Sequence, residues 1–225
     1  MISSQKKRVA SPVSIARAAN RAHPPIAGRR QRRAAETRLR LFRCALQLFA
    51  ERGFTSVTVE DITEAADVGK GTFFNYFESK DHVLGVMAEI QQGKVAEALT
   101  LAAEGEESIH SVLHTLFLRL AEEPGRSPDL ARALVSSFLA SEGVRTVIAH
   151  NMQEGRKMIA KVVVAGQKRG EIDGRLKKEK VAMQVLQTVM GTALLWSLHE
   201  QPPLNVWMED SFQQFWRSIA VSGKE

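Results

Sequence analysis

Apolar positions along this chain recur at helical spacing. Between about Glu36 and Gly53, Leu41, Cys44 and Leu48 fall on one face of a helix, and Phe42 lies beside that face. Gly53 is typical of a helix C-terminal cap. The pattern predicts a first helix that ends at this glycine.

The same spacing continues after Lys80. Gly or Pro pairs, such as Pro124-Gly125 and Pro202-Pro203, separate the periodic stretches. No stretch of any length alternates with the period of two that a strand requires. The fold class is therefore predicted to be all-α, with helices over about 80–103, 106–122, 127–140, 143–170, 177–200 and 205–221.

Two short helices are predicted between these regions. Thr58 and Asp61 have the spacing of a capping box at a helix start. Residues 67–69 then form a tight turn before a short helix over Lys70–Phe77, and Ser79 is placed to cap the long helix that follows. Short helices joined by a tight turn behind a longer helix predict a three-helix helix-turn-helix DNA-binding domain.

The short helix has a sharply divided surface. Phe73 and Phe77 are four residues apart and are expected to face inward. The remaining arc suits a reader of the DNA major groove, because Thr72 and Asn75 can hydrogen-bond to base edges. Other members of the set suit phosphate, and the amides at a helix start bind anions. The predicted DNA-contacting residues are Thr58, Lys70, Thr72, Phe74, Asn75, Tyr76 and Lys80.

Charge is concentrated at the N-terminus. The 225 residues carry 31 Lys and Arg against 25 Asp and Glu, but residues 1–35 contain nine basic residues and no acidic one. The helix-turn-helix region itself, residues 36–82, has six basic and eight acidic residues. A disordered basic arm over 1–34 is therefore expected to add DNA affinity by releasing counterions. Its contacts are assigned to Arg29, Arg30, Arg32 and Arg33.

Two alternatives for this arm stay open. It is a solvated tail without a partner, or an Arg-rich and acid-free address that resembles a transit peptide. Cys44 is the only cysteine, which excludes an intramolecular disulfide and a cysteine-based zinc finger and suits the cytoplasm. No apolar run approaches the roughly 18 residues that span a bilayer, so no membrane partner is expected.

The last two predicted helices are strongly apolar. Packed against their counterparts in a second chain, they would form a four-helix dimer interface. The alternative is that they fill the core of a single chain. The residues assigned to dimerisation are Val189, Trp196, Phe212, Phe215 and Trp216.

The middle helices direct further apolar residues to an interior that is either a core or a ligand pocket. If it is a pocket, it favours a hydrophobic or aromatic ligand, and the assigned residues are Leu113, Phe117, Met152 and Met158. His110 and His114, with Glu106, have metal-ligand spacing but no identifiable further ligand. No metal and no cofactor are therefore expected.

Two runs of sequence, 53–62 and 68–80, resemble the DNA-binding domain of TetR-family (tetracycline-repressor-like) regulators. The resemblance covers about residues 36–84 and implies a homodimer that binds a palindromic operator and is released by a ligand. Three positions depart from the family pattern. Phe74 lacks the hydroxyl of the frequent Tyr, Asp67 replaces a Gly in the turn, and Gly69 replaces a Ser at the helix start.

These features predict a non-enzymatic, ligand-responsive transcriptional regulator, and the family resemblance implies that it is a repressor. Residues 1–34 are the arm, 35–82 the DNA-binding domain, and 83–225 a helical domain for ligand binding and dimerisation. The expected partners are double-stranded operator DNA, an apolar small-molecule effector and a second copy of the chain. Two alternatives lack regulatory DNA binding: an enzyme on an α-helical scaffold, and an organelle-targeted interaction protein.

Overall fold

The computed structural model describes residues 26–199 and 201–221. Regular structure in these residues is helical, apart from an isolated antiparallel bridge between Ile172 and Ala220. The all-α fold class is confirmed. A short 3-10 helix, Pro124–Arg126, accompanies α1 (Ile26–Arg52), α2 (Val59–Ala65), α3 (Lys70–Phe74), α4 (Lys80–Glu104), α5 (Ile109–Ala121), α6 (Pro128–Ala140), α7 (Glu142–Lys168), α8 (Lys178–His199) and α9 (Leu204–Ile219).

Helix α1 begins about ten residues before its expected start. The prediction of a disordered arm is wrong for residues 26–34, which are helical, while residues 1–25 lie outside the described part. Gly28 costs a helix only about 1 kcal/mol relative to Ala. The arginines, glutamine and alanines that follow it are good helix formers, and together they offset that cost.

The chain divides into two units, 1–38 and 39–225. In the second unit, α1 from Leu39 onward packs with α2 and α3 around buried aromatic rings, among them Phe49, Phe54 and Phe73. Two left-handed backbone positions shape this part, and both were expected from the sequence. Gly53, at the end of α1, has φ +77°, and Asp67, in the turn between α2 and α3, has φ +49°.

Helix α4 contributes to two hydrophobic cores. Near its start, Val83 and Leu84 are buried with α1–α3 and with residues of α6 and α7. Near its end, Ala98 and Ala102 belong to a second core, formed with α5, α7, α8 and α9. In this core α4 packs along α7, α7 against α8, and α9 against both α5 and α8. The predicted domain boundary after residue 82 therefore falls inside one continuous helix.

Among the described residues, α8 alone is long and apolar enough to cross a membrane, judged by length and composition. The expectation that no apolar run approaches this length did not anticipate it, because Gln184, Gln187 and Thr188 interrupt the run without lowering its mean hydropathy much. One third of the apolar window is buried inside the protein. Core helices of soluble proteins pass the same test, so this is weak support for a membrane span.

Gly166 in α7 provides a test of the second core. A Cβ added there would stand 2.7 Å from Cδ1 and 2.9 Å from Cγ1 of Ile172, and 3.1 Å from Cγ2 of Ile109. Because both isoleucines are buried, we expect Gly166→Ala to lower the free energy of unfolding by about 1–3 kcal/mol through overpacking.

The matched control is Gly93→Ala in α4, where the glycine is exposed and an added Cβ meets nothing within 4 Å. This change is expected to raise the free energy of unfolding by about 0.5–1 kcal/mol, because alanine favours the helix. Urea denaturation measures both variants. Equal stabilities for the two would contradict the packing described for Gly166.

Candidate functional site

The start of α2 is a complete capping box. The backbone amide of Asp61 donates to the Thr58 hydroxyl at 3.1 Å, and the Thr58 amide donates to the Asp61 carboxylate at 2.7 Å. Hydrogen bonds from Thr58 are the main cause that lowers the pKa of Asp61, and Arg52 adds a contact at 3.3 Å. The predicted capping pair is confirmed. Thr58 remains exposed, but its hydroxyl already serves the helix.

Helix α3 starts at Lys70 as expected but ends at Phe74, three residues earlier than predicted. Phe73 and Phe77 are buried, as the sequence predicted, and their ring centroids lie 5.4 Å apart. On the other side, Phe74 is 50% exposed and Asn75 is exposed. A buried aromatic pair thus holds the short helix so that its other face meets solvent.

The remaining outward residues are less free than the sequence suggests. Thr72 and Tyr76 are each partly buried, and Tyr76 packs against the first core. Lys70 is exposed and its ammonium forms an ion pair with Glu60 of α2. The hydrogen bond from Lys70 is the main cause that lowers the pKa of Glu60. Any DNA contact of Lys70 therefore competes with this carboxylate.

Lys80 faces inward, which contradicts its predicted use as a phosphate contact. Its ammonium donates to the carbonyls of Phe54 and Val57 at 2.8 Å and to that of Thr55 at 3.3 Å. The same nitrogen lies 4.7 Å from the centroid of the Phe54 ring. Burial lowers the pKa of Lys80. Since an ammonium has three donors, these carbonyls occupy all of them and tie the loop before α2 to the first residue of α4.

Ser79 stands at the N-cap position of α4, but its hydroxyl bonds to Nδ1 of His82 at 3.0 Å instead of capping an amide. The four arginines of the predicted arm are exposed on the first turns of α1: Arg29, Arg30, Arg32 and Arg33.

A cavity of about 210 Å³ lies between α4, α5, α6, α7 and α8. Most of its lining is apolar, including Met87 and Val95 of α4 and Leu134 and Phe138 of α6. Three carboxamide side chains supply the polar groups of the lining: Gln91, Gln92 and Asn151. Two α8 residues that line the cavity, Met190 and Leu194, are also exposed at the surface.

The predicted ligand residues divide between core and cavity. Met152 lines the cavity. Leu113 and Phe117 are fully buried in the second core and Met158 packs against that core, so the structure does not place these three at the cavity. The reason is that α5 directs this face toward the aromatic residues of α9, as shown by the 5.1 Å between the rings of Phe117 and Phe212.

The predicted dimerisation residues also lie largely inside one chain. Trp196, Phe212 and Phe215 are buried in the second core, which contradicts a role as contact surface, while Val189 and Trp216 are partly buried against that core. The alternative that these aromatic residues fill the core is the one observed for them. The exposed apolar side chains of these helices are instead Met183, Met190, Leu194, Leu195 and Leu198 of α8 and Val206 of α9.

The histidine pair of α5 takes part in packing. The rings of His110 and His114 are stacked 6.1 Å apart, and Nε2 of His114 contacts the Glu209 carboxylate at 2.5 Å. Hydrogen bonds from Gln213 and then His114 lower the pKa of Glu209. Within the described residues, no group of three His, Cys, Asp or Glu side chains is arranged to hold a metal ion.

Comparisons with known proteins agree with the helix-turn-helix geometry. Residues 41–87 match the model of the bacterial regulatory proteins of the tetR family. The chain is 33% identical to the HTH-type transcriptional regulator TcmR of Streptomyces glaucescens, over 55% of this chain and 68% of that protein. The chain belongs to the TetR family.

A second relative and two solved structures extend the similarity of this TetR-family regulator over helices α4 to α9 (the body). The repressor DhaR of Mycobacterium sp. (strain GP1) is 28% identical over 66% of this chain and 76% of its own length. FadR of Thermus thermophilus, solved with lauroyl-CoA, is 27% identical with a TM-score of 0.60, and covers 83% of this chain and 97% of its own. FadR of Bacillus subtilis, solved with stearoyl-CoA, shares the fold at 17% identity with a TM-score of 0.67, over 83% and 99% of the two chains.

Sequence reasoning missed the cavity residues Gln91, Gln92 and Asn151. A signal was present, because these amides interrupt otherwise apolar stripes of α4 and α7. It also missed the structural role of Lys80, which depends on carbonyls more than twenty residues away in the chain.

Lys80→Met tests whether this lysine stabilises the helix-turn-helix region, residues 36–82 (the head), through its hydrogen bonds to backbone carbonyls. Losing three hydrogen bonds from an ammonium is expected to lower the free energy of unfolding by about 1–3 kcal/mol. The slope of log K for DNA against log salt should stay unchanged, because no phosphate contact is lost. Thermal unfolding and fluorescence anisotropy over a salt series measure the two quantities.

Lys70→Met is the matched control, since this lysine is exposed in the same head. Removing it from both copies of the proposed dimer, with one phosphate contact each, is expected to reduce the salt slope by about 1.8 with little change in the free energy of unfolding. A slope reduced to the same extent by Lys80→Met would show that Lys80 contacts phosphate after all.

Proposed function

We propose that this TetR-family regulator is a cytoplasmic repressor that binds a palindromic operator as a homodimer and is released by a small apolar effector. The observation that carries the proposal is the course of α4. Its first residue, Lys80, holds the loop before α2, and Gln91 and Val95 further along the same helix line the cavity. One helix thus connects the DNA-binding head to the cavity of the body.

The exposed side of α3 is the proposed reading face. The side-chain amide of Asn75 has a donor and an acceptor, which can pair with N7 and N6 of adenine in the major groove. Thr72 can offer its methyl group to thymine. Phe74, half exposed, supports apolar contact with the DNA. We assign Lys70 and Tyr76 to phosphate or base contacts, with Lys70 exchanging Glu60 for DNA.

The arginines at the start of α1 are proposed to supply the positive charge that the head lacks. Residues 36–82 carry more acidic than basic groups, so the head alone attracts DNA weakly. Arg29, Arg30, Arg32 and Arg33 are exposed and belong to the first 35 residues, which contain no acid. We assign them to sequence-independent phosphate contacts, which supply affinity through counterion release.

An effector site in the body is supported by the cavity and by the solved relatives. The cavity combines an apolar lining with a few polar groups, the usual composition of small-molecule sites. The two FadR structures were solved with acyl-CoA molecules. Their shared fold supports a small-molecule effector for this chain, and the class of that effector is considered in the next subsection.

A homodimer is supported by the exposed apolar side of α8. Met183, Met190, Leu194 and Leu198 follow one another at intervals of seven, four and four residues, which places them on one stripe of the helix. Such a stripe is costly to leave in water and suits an isologous contact with a second copy. Two copies would present two heads to the two halves of an operator.

The double substitution Lys70→Ala and Tyr76→Ala tests the reading face. We expect it to weaken binding to the DNA that flanks the protein's own coding region, because a cation and an aromatic hydroxyl leave the proposed interface. The control Lys157→Ala removes an exposed lysine that is ion-paired with Glu154 in the body. Gel-shift titration measures both, and wild-type binding by the double variant would refute the proposed face.

Leu198→Glu tests the dimer surface, because Leu198 lies on the apolar stripe of α8, is exposed and does not line the cavity. A carboxylate buried at an apolar contact without a partner is strongly unfavourable, so we expect the variant to sediment as a monomer at micromolar concentration. The control is Leu139→Glu, at an 80% exposed leucine of α6. Sedimentation velocity measures the state of each variant, and a dimeric Leu198→Glu variant or a monomeric wild type would count against this surface.

A further inference from the structure

The polar groups of the cavity differ in kind from those that would hold a charged effector. No Lys, Arg or His is among the described residues that line it, and no Asp or Glu is either. An ionised carboxylate or phosphate brought into this lining would lose its hydration without gaining a counter-charge. The cavity therefore selects against charged ligands.

Each of the three carboxamides of the lining donates a hydrogen bond from its side-chain nitrogen to a backbone carbonyl. The amide nitrogen of Gln91 donates to the Leu120 carbonyl at 3.1 Å. That of Gln92 donates to the Asn151 carbonyl at 3.5 Å, and that of Asn151 donates to the Val147 carbonyl at 2.7 Å. Each amide nitrogen thus gives one of its two N–H donors to a backbone carbonyl, and the nitrogen of Gln91 also lies 4.0 Å from Sδ of Met87. For Gln91, this leaves mainly the oxygen, which only accepts hydrogen bonds, to a ligand.

The side-chain oxygen of Gln91 is the clearest case of an acceptor without a partner. Its Oε1 is buried and has no hydrogen-bond partner among the described residues, although it carries two lone pairs. Exchanging the oxygen and nitrogen of this amide would not help, because an oxygen would then face the Leu120 carbonyl. Buried polar atoms in proteins are nearly always satisfied, so this oxygen calls for a donor from elsewhere.

We infer that the effector is a compact, neutral, apolar molecule with a hydroxyl group that donates to Oε1 of Gln91. This inference rests on the proposed function and narrows its effector class. A cavity of about 210 Å³ has the volume of about seven liquid waters, which suits a ligand on the order of ten non-hydrogen atoms. The thioester of an acyl-CoA, the kind of ligand found in the two FadR structures, has no hydrogen-bond donor for this oxygen.

Three probes that share an eight-carbon chain test the inference on the full-length wild-type chain: 1-octanol, octanoate and octanoyl-CoA. Methyl heptyl ether, an isomer of 1-octanol that has no donor, is the fourth probe. Calorimetric titration gives the affinities. We expect 1-octanol to bind about three- to tenfold more tightly than the ether, the range of one net hydrogen bond. Octanoate and octanoyl-CoA should bind more weakly than either.

Gln91→Leu should bring the ratio of 1-octanol to ether affinity close to one, because it removes the acceptor. Gln153→Leu is the matched control, at an exposed glutamine of α7 outside the cavity, and should keep the wild-type ratio. If Gln91→Leu does not fold, the comparison of 1-octanol with the ether on the wild type still decides the question.

The outcomes separate this inference from the proposed function. Binding of octanoate or octanoyl-CoA that equals or exceeds that of 1-octanol overturns the neutral-hydroxyl class but leaves an effector site in place. Equal affinities of 1-octanol and the ether overturn the requirement for a hydroxyl group, and an unchanged ratio in Gln91→Leu overturns the role of Gln91; either result leaves an apolar effector site in place. If none of the four probes binds, both the effector class and the proposed apolar effector site are overturned.

Discussion

Helix α4 has to be buried at both of its ends, and the rest of the structure depends on that constraint. Val83 and Leu84 bury against the head, while Ala98 and Ala102 bury against α5 and the C-terminal helices. Because a helix turns by a fixed angle per residue, its two buried faces also fix how the two cores are oriented. The cavity lies along the stretch between them, where the lining of α4 changes from one core to the other.

The local parts of this arrangement could be predicted from the sequence. Helix limits, the Gly53 cap, the Thr58 capping box and the inward pair Phe73 and Phe77 each depend on residues within one or two turns. The start of α1 could not be predicted as well. Residues 26–34 were predicted to belong to a disordered arm, whereas the helix-forming residues that follow Gly28 outweigh this single glycine.

Contacts between residues far apart in the chain could not be predicted from the sequence. An amphipathic pattern shows that a residue is apolar and on a given face, but it does not show whether that face meets the same chain or a second one. Trp196 and Phe212 looked like a surface for a partner and are core, whereas the less conspicuous Leu195 and Leu198 are exposed. Lys80 likewise suited phosphate by its chemistry until the fold brought three carbonyls within reach of its ammonium.

For the proposed effector, the course of α4 gives a route from the cavity to the DNA-binding domain. From Gln91 to Lys80 the helix rises by about 16 Å, at 1.5 Å per residue. A tilt that widened the cavity at Gln91 would move Lys80, and the hydrogen bonds of Lys80 would move the loop at Phe54 with it. The ligand shifts DNA affinity only as far as it prefers one tilt over the other. A hundredfold weakening therefore requires about 2.8 kcal/mol of preference, which the closure of apolar side chains around a ligand in a 210 Å³ cavity can supply.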